Sequence, residues 1–206
     1  MSFPIQQEPV RRFRGRAGRR RQPRQLTRVK PVEPEVLAAL TDGIPDRRDR
    51  AIILMLIDSG LRGSELVQLD RGSVSLNDGD SGASGQVLRH KSGRSRKFLI
   101  TRRAADALSD YLNFERNQDC NVALFIDQKG NRVSTRYLRN MIHRWCDQLG
   151  VERLSLHQLR HTLALRLVER GCSQSTILQI MGYSRSVSII CTFITLPLQK
   201  HPLDTE

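Results

Sequence analysis

The stretch Ser155–Gly171, SLHQLRHTLALRLVERG, constrains the fold more than any other. At about 100° per residue its Leu156, Leu159, Leu163 and Leu167 fall on one apolar stripe, so the spacing predicts a single helix docked on a core. His157, Arg160 and His161 stand at i, i+3 and i+4 and share a neighbouring face. A helix that docks on leucines and presents His-x-x-Arg-His beside them suits a cationic cluster held against an anion. Taken alone, the same face equally fits a solvated surface and a structural histidine. Its meaning rests on whether other parts of the chain supply matching groups in a matching order.

The overall charge asks for an anion. The 206 residues carry 34 Lys and Arg against 21 Asp and Glu, a formal net charge of +13. This favours a polyanionic partner, nucleic acid before membrane. The excess is uneven: residues 11–30 hold ten cations and no acid, whereas residues 31–206 net only +4. Residues 1–33 lack apolar periodicity. They are expected to be a basic, disordered arm that meets phosphates through Arg11, Arg12, Arg14, Arg19, Arg20 and Arg21, or else a linker or solubilising tail. Hydrophobic residues make up 38% of the chain, enough for a core in the remainder. Cys120, Cys146, Cys172 and Cys191 form no C-x-x-C pair, which argues against zinc. The N-terminus has no apolar leader and no run reaches the length of a membrane span, so a reduced, cytoplasmic protein is expected.

Along the chain, Pro34–Thr41 is expected to be a short helix and Asp46–Ser59 a longer one, with Ile52, Ile53, Leu56 and Ile57 as its buried face and Gly60 as its stop. In GLRGSEL, Ser64 is expected to cap a further short helix carrying Leu66, Val67 and Leu69. Arg62, just ahead of that helix, is badly placed for the dipole but well placed for an anion shared with it. Glu65 is the candidate to orient its guanidinium. Ser73–Leu76 reads as a strand and residues 77–85 as a turn. Gln86–His90 and Lys97–Ile100 read as strands of a hairpin whose tip is KSGRSR. Lys91, Arg94, Arg96 and Lys97 crowd that tip, which either reaches a DNA groove or is a solvated turn. Thr101, Ser134 and Ser173 are expected caps of later helices, and Gly182-Tyr183-Ser184 breaks the last of these before the apolar run VSIICTFI.

An arginine in GLRGSELVQL, a lysine on a hairpin, SLHQLRHTLALRLVERG and the turn IMGYSRSVS, in this order, resemble the catalytic domain of the tyrosine recombinases, the phage-integrase family. The resemblance covers roughly residues 34–195. It implies a mainly α fold with a small antiparallel β-sheet (α+β), and makes residues 34–206 a DNA-breaking and rejoining domain. Family members attack a phosphodiester with a tyrosine hydroxyl, giving a 3′-phosphotyrosyl bond and a free 5′-hydroxyl, without ATP, metal or other cofactor. Double-stranded DNA and a tetramer of the chain on two sites are the implied partners. By the same resemblance, Arg62 and Arg160 clamp the phosphate oxygens with planar, permanently charged forks. Lys91 resembles the acid that protonates the leaving 5′-oxygen, and His157 a proton-handling group. Tyr183 stands where the family usually has His or Trp and keeps a hydrogen-bond donor.

The nucleophile position departs from the pattern. An ungapped count from the turn reaches Thr192, and one extra residue at Arg185 reaches Phe193. The apolar run before Phe193 and the aliphatic after it favour the second register. Phenylalanine has the ring of tyrosine without its hydroxyl, so it cannot attack phosphorus. Tyr183 occupies the turn, and Tyr111 and Tyr137 fall in other helices. Larger family members carry a helical core-binding domain ahead of the catalytic one, where only the basic arm stands here. Two functions stay open: a site-specific recombinase, inactive or weakly active as written, and a DNA-binding regulator on the same scaffold. A third, a small RNA-bound structural protein, requires both arginine motifs to be coincidence.

Overall fold

The computed structural model describes residues 30–76, 82–88, 95–116 and 121–182. Its central element is α2 (Arg47–Ser59), not the helix that follows Ser155. Asp46 caps α2 by accepting the Asp49 N–H at 2.8 Å, and Gly60 closes it in the left-handed region at φ 58°. The run AIILMLI places apolar residues on every side of the helix, and ten of its thirteen residues are buried. A helix apolar all round belongs inside a domain rather than on its surface. The single buried face expected from the sequence is therefore too narrow.

Helices α1 (Pro34–Asp42), α4 (Arg102–Asp110) and α6 (Leu156–Glu169) pack around α2. Each fully buried Leu or Ile at these contacts contributes about 1.5–3 kcal/mol. Thr101 and Ser134 cap α4 and α5 (Thr135–Gln148) through their hydroxyls, as their positions ahead of the apolar patterns predict, and Ser155 caps α6 in the same way. The stripe on α6 divides between two partners. Leu159 enters the main core with Leu156 against it, whereas Leu163 and Leu167 meet α7 (Gln174–Met181) around Ala164, Ile177 and Met181. Ahead of α1, the Val32 N–H donates to Thr162 Oγ1 at 2.9 Å and ties the root of the basic segment to α6. The short helix α3 (Gly63–Leu66) starts one residue before Ser64, so Arg62 and not Ser64 holds the cap position. Glu65 is the reason: its carboxylate reaches back to the Arg62 N–H at 2.9 Å.

Three antiparallel strands, β1 (Val74–Leu76), β2 (Ala83–Leu88) and β3 (Ser95–Ile100), lie in sequence order. Strand β2 begins at Ala83, earlier than its Gly/Ser composition suggests. Gly85 pairs with Phe98, and the ring fills the space beside it: a Cβ there would lie 2.4 Å from Phe98 Cζ. The glycine thus serves the sheet rather than a turn. Along β3 the even positions Arg96, Phe98 and Ile100 are buried, and Ser95, Lys97 and Leu99 are exposed. Together the helices and the sheet make the expected mainly α fold with a small antiparallel sheet. Among the described residues no helix is long and apolar enough to cross a membrane.

One buried polar hub holds α2 to α5. Asp49, fully buried, accepts hydrogen bonds from Arg48 Nε at 3.0 Å, Tyr137 Oη at 3.1 Å, Trp145 Nε1 at 2.9 Å and Arg144 Nη2 at 2.6 Å. Burial, followed by the charge of Asp49, pushes the Tyr137 phenol well above its ordinary range.

Candidate active site

The site grows from the C-terminal end of α2. Ser59 Oγ donates to Met55 O and accepts the Leu61 N–H at 3.2 Å, which fixes the chain as it leaves the helix. Gly60 then turns in the left-handed region that favours glycine. Two residues on, Arg62 begins α3 with its side chain 44% exposed. Its Nη1 donates to Glu65 Oε1 at 2.8 Å, so Glu65 orients the guanidinium as the spacing suggested.

Arg160 comes to the same carboxylate from α6. Its Nη1 lies 3.9 Å from Glu65 Oε2, and its guanidinium donates to the carbonyls of Gly60 and Met181. The two arginines of the sequence motifs thus converge on one acid, Arg62 at the rim and Arg160 in the floor at 4% exposure. Gly60 and Met181 stand at the C-terminal ends of α2 and α7. Carbonyls there carry the negative end of a helix dipole and stabilise a nearby cation by about 0.3–2 kcal/mol each.

Arg96 is a third arginine at this site and the second in its floor, which corrects its assignment to an exposed DNA-contacting tip. Its side chain is 7% exposed and cannot lie along a DNA backbone. It donates through Nη2 to Glu65 Oε2 at 3.2 Å and Gly60 O at 3.3 Å, and through Nη1 to Ile180 O at 2.6 Å. The signal was in the alternation of SRKFLI, where Arg96 shares its parity with the inward-facing Phe98 and Ile100.

Burial opposes ionisation of Glu65, but the Arg62 N–H and the charges of Arg96 and Arg62 outweigh it and hold the carboxyl below its ordinary range. Among the described residues these three guanidinium groups gather around one carboxylate. His157 is exposed on α6, one turn before Arg160 and His161. Burial, then the charge of His157, lowers the His161 imidazole below its ordinary value. Lys91, Arg94, Tyr183, Phe193 and the arginines of residues 11–21 lie outside the described residues.

The model of the phage integrase family matches residues 30–192. The chain belongs to the phage integrase family. The match takes in Arg62, Lys91, His157, Arg160 and Tyr183 and stops one residue short of Phe193. Among relatives, it is 29% identical over 187 residues to the tyrosine recombinase XerC of Roseiflexus castenholzii, covering 87% of this chain and 58% of that protein. It is 32% identical over 163 residues to XerC of Corynebacterium efficiens, covering 79% of this chain and 51% of that one. The chain therefore spans little more than half the length of these curated relatives. The crystal structure of XerA recombinase superposes with a TM-score of 0.71 at 26% identity, over 83% of this chain and 61% of that one. XerH site-specific recombinase bound to palindromic difH substrate, a post-cleavage complex, superposes with a TM-score of 0.64 at 23% identity over 76% of this chain and 47% of that one. At that identity the second likeness speaks for the fold of this phage-integrase family member.

Proposed function

We propose that this chain is the catalytic portion of a site-specific DNA recombinase, with a backbone phosphate seated on Arg62 and Arg160 and Phe193 at the position of the nucleophile. The observation that supports this most is the meeting of the two guanidinium groups on Glu65, from helices that start almost a hundred residues apart in sequence. Planar guanidinium forks, one at the rim and one in the buried floor, are the groups that neutralise charge building on phosphate oxygens. In this reading a tyrosine restored at position 193 would attack phosphorus through its oxygen as the bond from phosphorus to the 5′-oxygen breaks. Lys91 gives its proton to that oxygen, His157 handles the proton near the nucleophile, and Tyr183 donates to a phosphate oxygen. The products are a 3′-phosphotyrosyl link and a 5′-hydroxyl. Strand exchange between two sites makes a tetramer on duplex DNA part of the reading, and Arg94 with the basic arm adds phosphate contacts around it.

Phe193 favours a second reading, a DNA-binding regulator that does not cut, because a benzyl side chain has no nucleophile. One experiment separates the two. Duplexes that the full chain binds are selected from a randomised pool, and Phe193→Tyr and Thr192→Tyr are incubated with them. A denaturant-resistant protein–DNA adduct from either variant, absent in the unaltered chain, supports the recombinase. No adduct from either supports the regulator, and nicked product from the unaltered chain rules the regulator out. Arg62→Ala and Arg160→Ala that bind as tightly as the unaltered chain would remove the phosphate site from both readings.

A further inference from the structure

We propose that Arg96 is a positioning residue: it locks the Glu65 carboxylate that orients Arg62, and ties this pair to the last turn of α7. The proposal rests on the reading of Arg62 as a phosphate contact. Its basis is that one guanidinium holds acceptors from three separate elements. Glu65 Oε2 belongs to α3, Gly60 O to the end of α2, and Ile180 O to the end of α7. Arg160 bridges the same two helix ends, through Gly60 O and the neighbouring Met181 O. It stands 3.9 Å from the carboxylate, whereas Arg96 hydrogen-bonds to it at 3.2 Å. The two carboxylate oxygens are thereby divided. Oε1 takes the Arg62 side chain, and Oε2 takes the Arg62 N–H together with Arg96.

Glu65 can hold Arg62 in one orientation only while its own rotation is blocked, and Arg96 is the side-chain group that blocks it from behind. A lysine would supply the charge but not the fork, and one ammonium on a flexible stem cannot reach all three acceptors in this plane. Arg96 itself is too buried to meet DNA, so its effect on binding passes through the groups it holds, of which Arg62 is the exposed one.

The test uses the full chain and four proteins: unaltered, Arg62→Ala, Arg96→Gln and the double variant. Two quantities are read, the Arg62 Nε–Hε signal in 1H–15N spectra of the free protein and the salt dependence of binding to a selected duplex. Arg96→Gln is expected to move or broaden the Arg62 signal, with Arg96→Lys restoring it in part. It is also expected to lower the salt slope by about 0.9, the value of one phosphate contact. Arg62→Ala should lower it equally and the double variant no further. An unmoved Arg62 signal in a folded Arg96→Gln overturns the proposal. So does an additive loss of about 1.8 in the double variant, which would give Arg96 a phosphate of its own. If Arg62→Ala leaves the slope unchanged while Arg96→Gln moves the Arg62 signal, positioning stands and the phosphate reading falls. Should Arg96→Gln fail to fold, Arg96→Lys is read by the same signal with the same criteria.

Discussion

Gly60→Ala tests whether the turn after α2 carries the site. Gly60 lies at φ 58°, where an L side chain costs about 1–2 kcal/mol. An added Cβ would also stand 3.0 Å from Leu163 Cδ2 and 3.0 Å from Met181 Sδ. Both are ends of flexible side chains, so they yield by a few tenths of an ångström, and this crowding adds about 1 kcal/mol. The sum is about 2–3 kcal/mol, which lowers the melting temperature of a domain of this size by roughly 5–10 °C. Gly130→Ala is the control. Its φ is 79°, but nothing lies within 4 Å of the added Cβ, so it bears the backbone cost alone. Urea and thermal unfolding of both variants should show Gly60→Ala the less stable by about 1 kcal/mol. Because Gly60 O accepts from both Arg96 and Arg160, Gly60→Ala should also weaken duplex binding, and Gly130→Ala should not. Equal destabilisation of the two variants, with unchanged DNA binding in both, would refute the claim that this carbonyl organises the floor.

Asp49→Asn keeps the shape of the hub and removes its charge, leaving buried Arg48 with the more exposed Asp46 carboxylate at 3.7 Å; a loss of about 3 kcal/mol in urea unfolding is expected, and a loss under 1 kcal/mol would show the hub to be marginal. Glu65 has a folded-state pKa below its ordinary 4.5, so its ionised form stabilises the fold fully above that pH and progressively less as the pH falls towards the folded value. The stability gap between the unaltered chain and Glu65→Gln should therefore narrow from pH 6 to pH 3, and a gap flat across that range would contradict the ion-pair assignment. Tyr137 shows the opposite sign. Its folded pKa is raised above 10.0, so the unfolded chain ionises first and the native state loses stability as pH rises past 10. Tyr137→Phe should reduce that alkaline loss, measured as the dependence of the urea midpoint on pH between 8 and 11, with buried Tyr111 and Cys146, also raised, carrying the rest.

Local chemistry was readable in the sequence where one residue decides the outcome. Thr101, Ser134 and Ser173 each cap the helix their position announced, and Gly60 ends α2 in the left-handed turn. Glu65 was legible as the partner of Arg62 because three residues along a helix start brings the carboxylate back to the cap. Residues whose role depends on what lies across the core were misread. Arg96 was counted with its charged neighbours, although strand parity sets it apart from Lys97. Asp49 went unnoticed because its partners come from α5, some ninety positions away. Ser64 was favoured as a cap by residue type alone, and the Glu65 contact to the Arg62 backbone overrode that preference. Gly85 looked like turn punctuation until Phe98 was placed across from it.

The floor explains how three arginines can be stable before any ligand arrives. Burying a guanidinium without partners is prohibitive, but here Gly60 O, Ile180 O and Met181 O supply the negative ends of two helices and Glu65 supplies a full charge. Among the described residues three guanidinium groups face one carboxylate, which favours an anion of more than one charge. A phosphodiester carries one negative charge, whereas the pentacoordinate arrangement reached when an oxygen attacks it carries two. On the proposed reading the floor thus matches the transition state of transesterification more closely than the intact backbone, the condition under which binding becomes catalysis. On the same reading, phenylalanine at position 193 takes away the attacking oxygen and leaves that complementarity in place. Restoring the hydroxyl alone should therefore suffice to recover cleavage, with no second substitution in the floor.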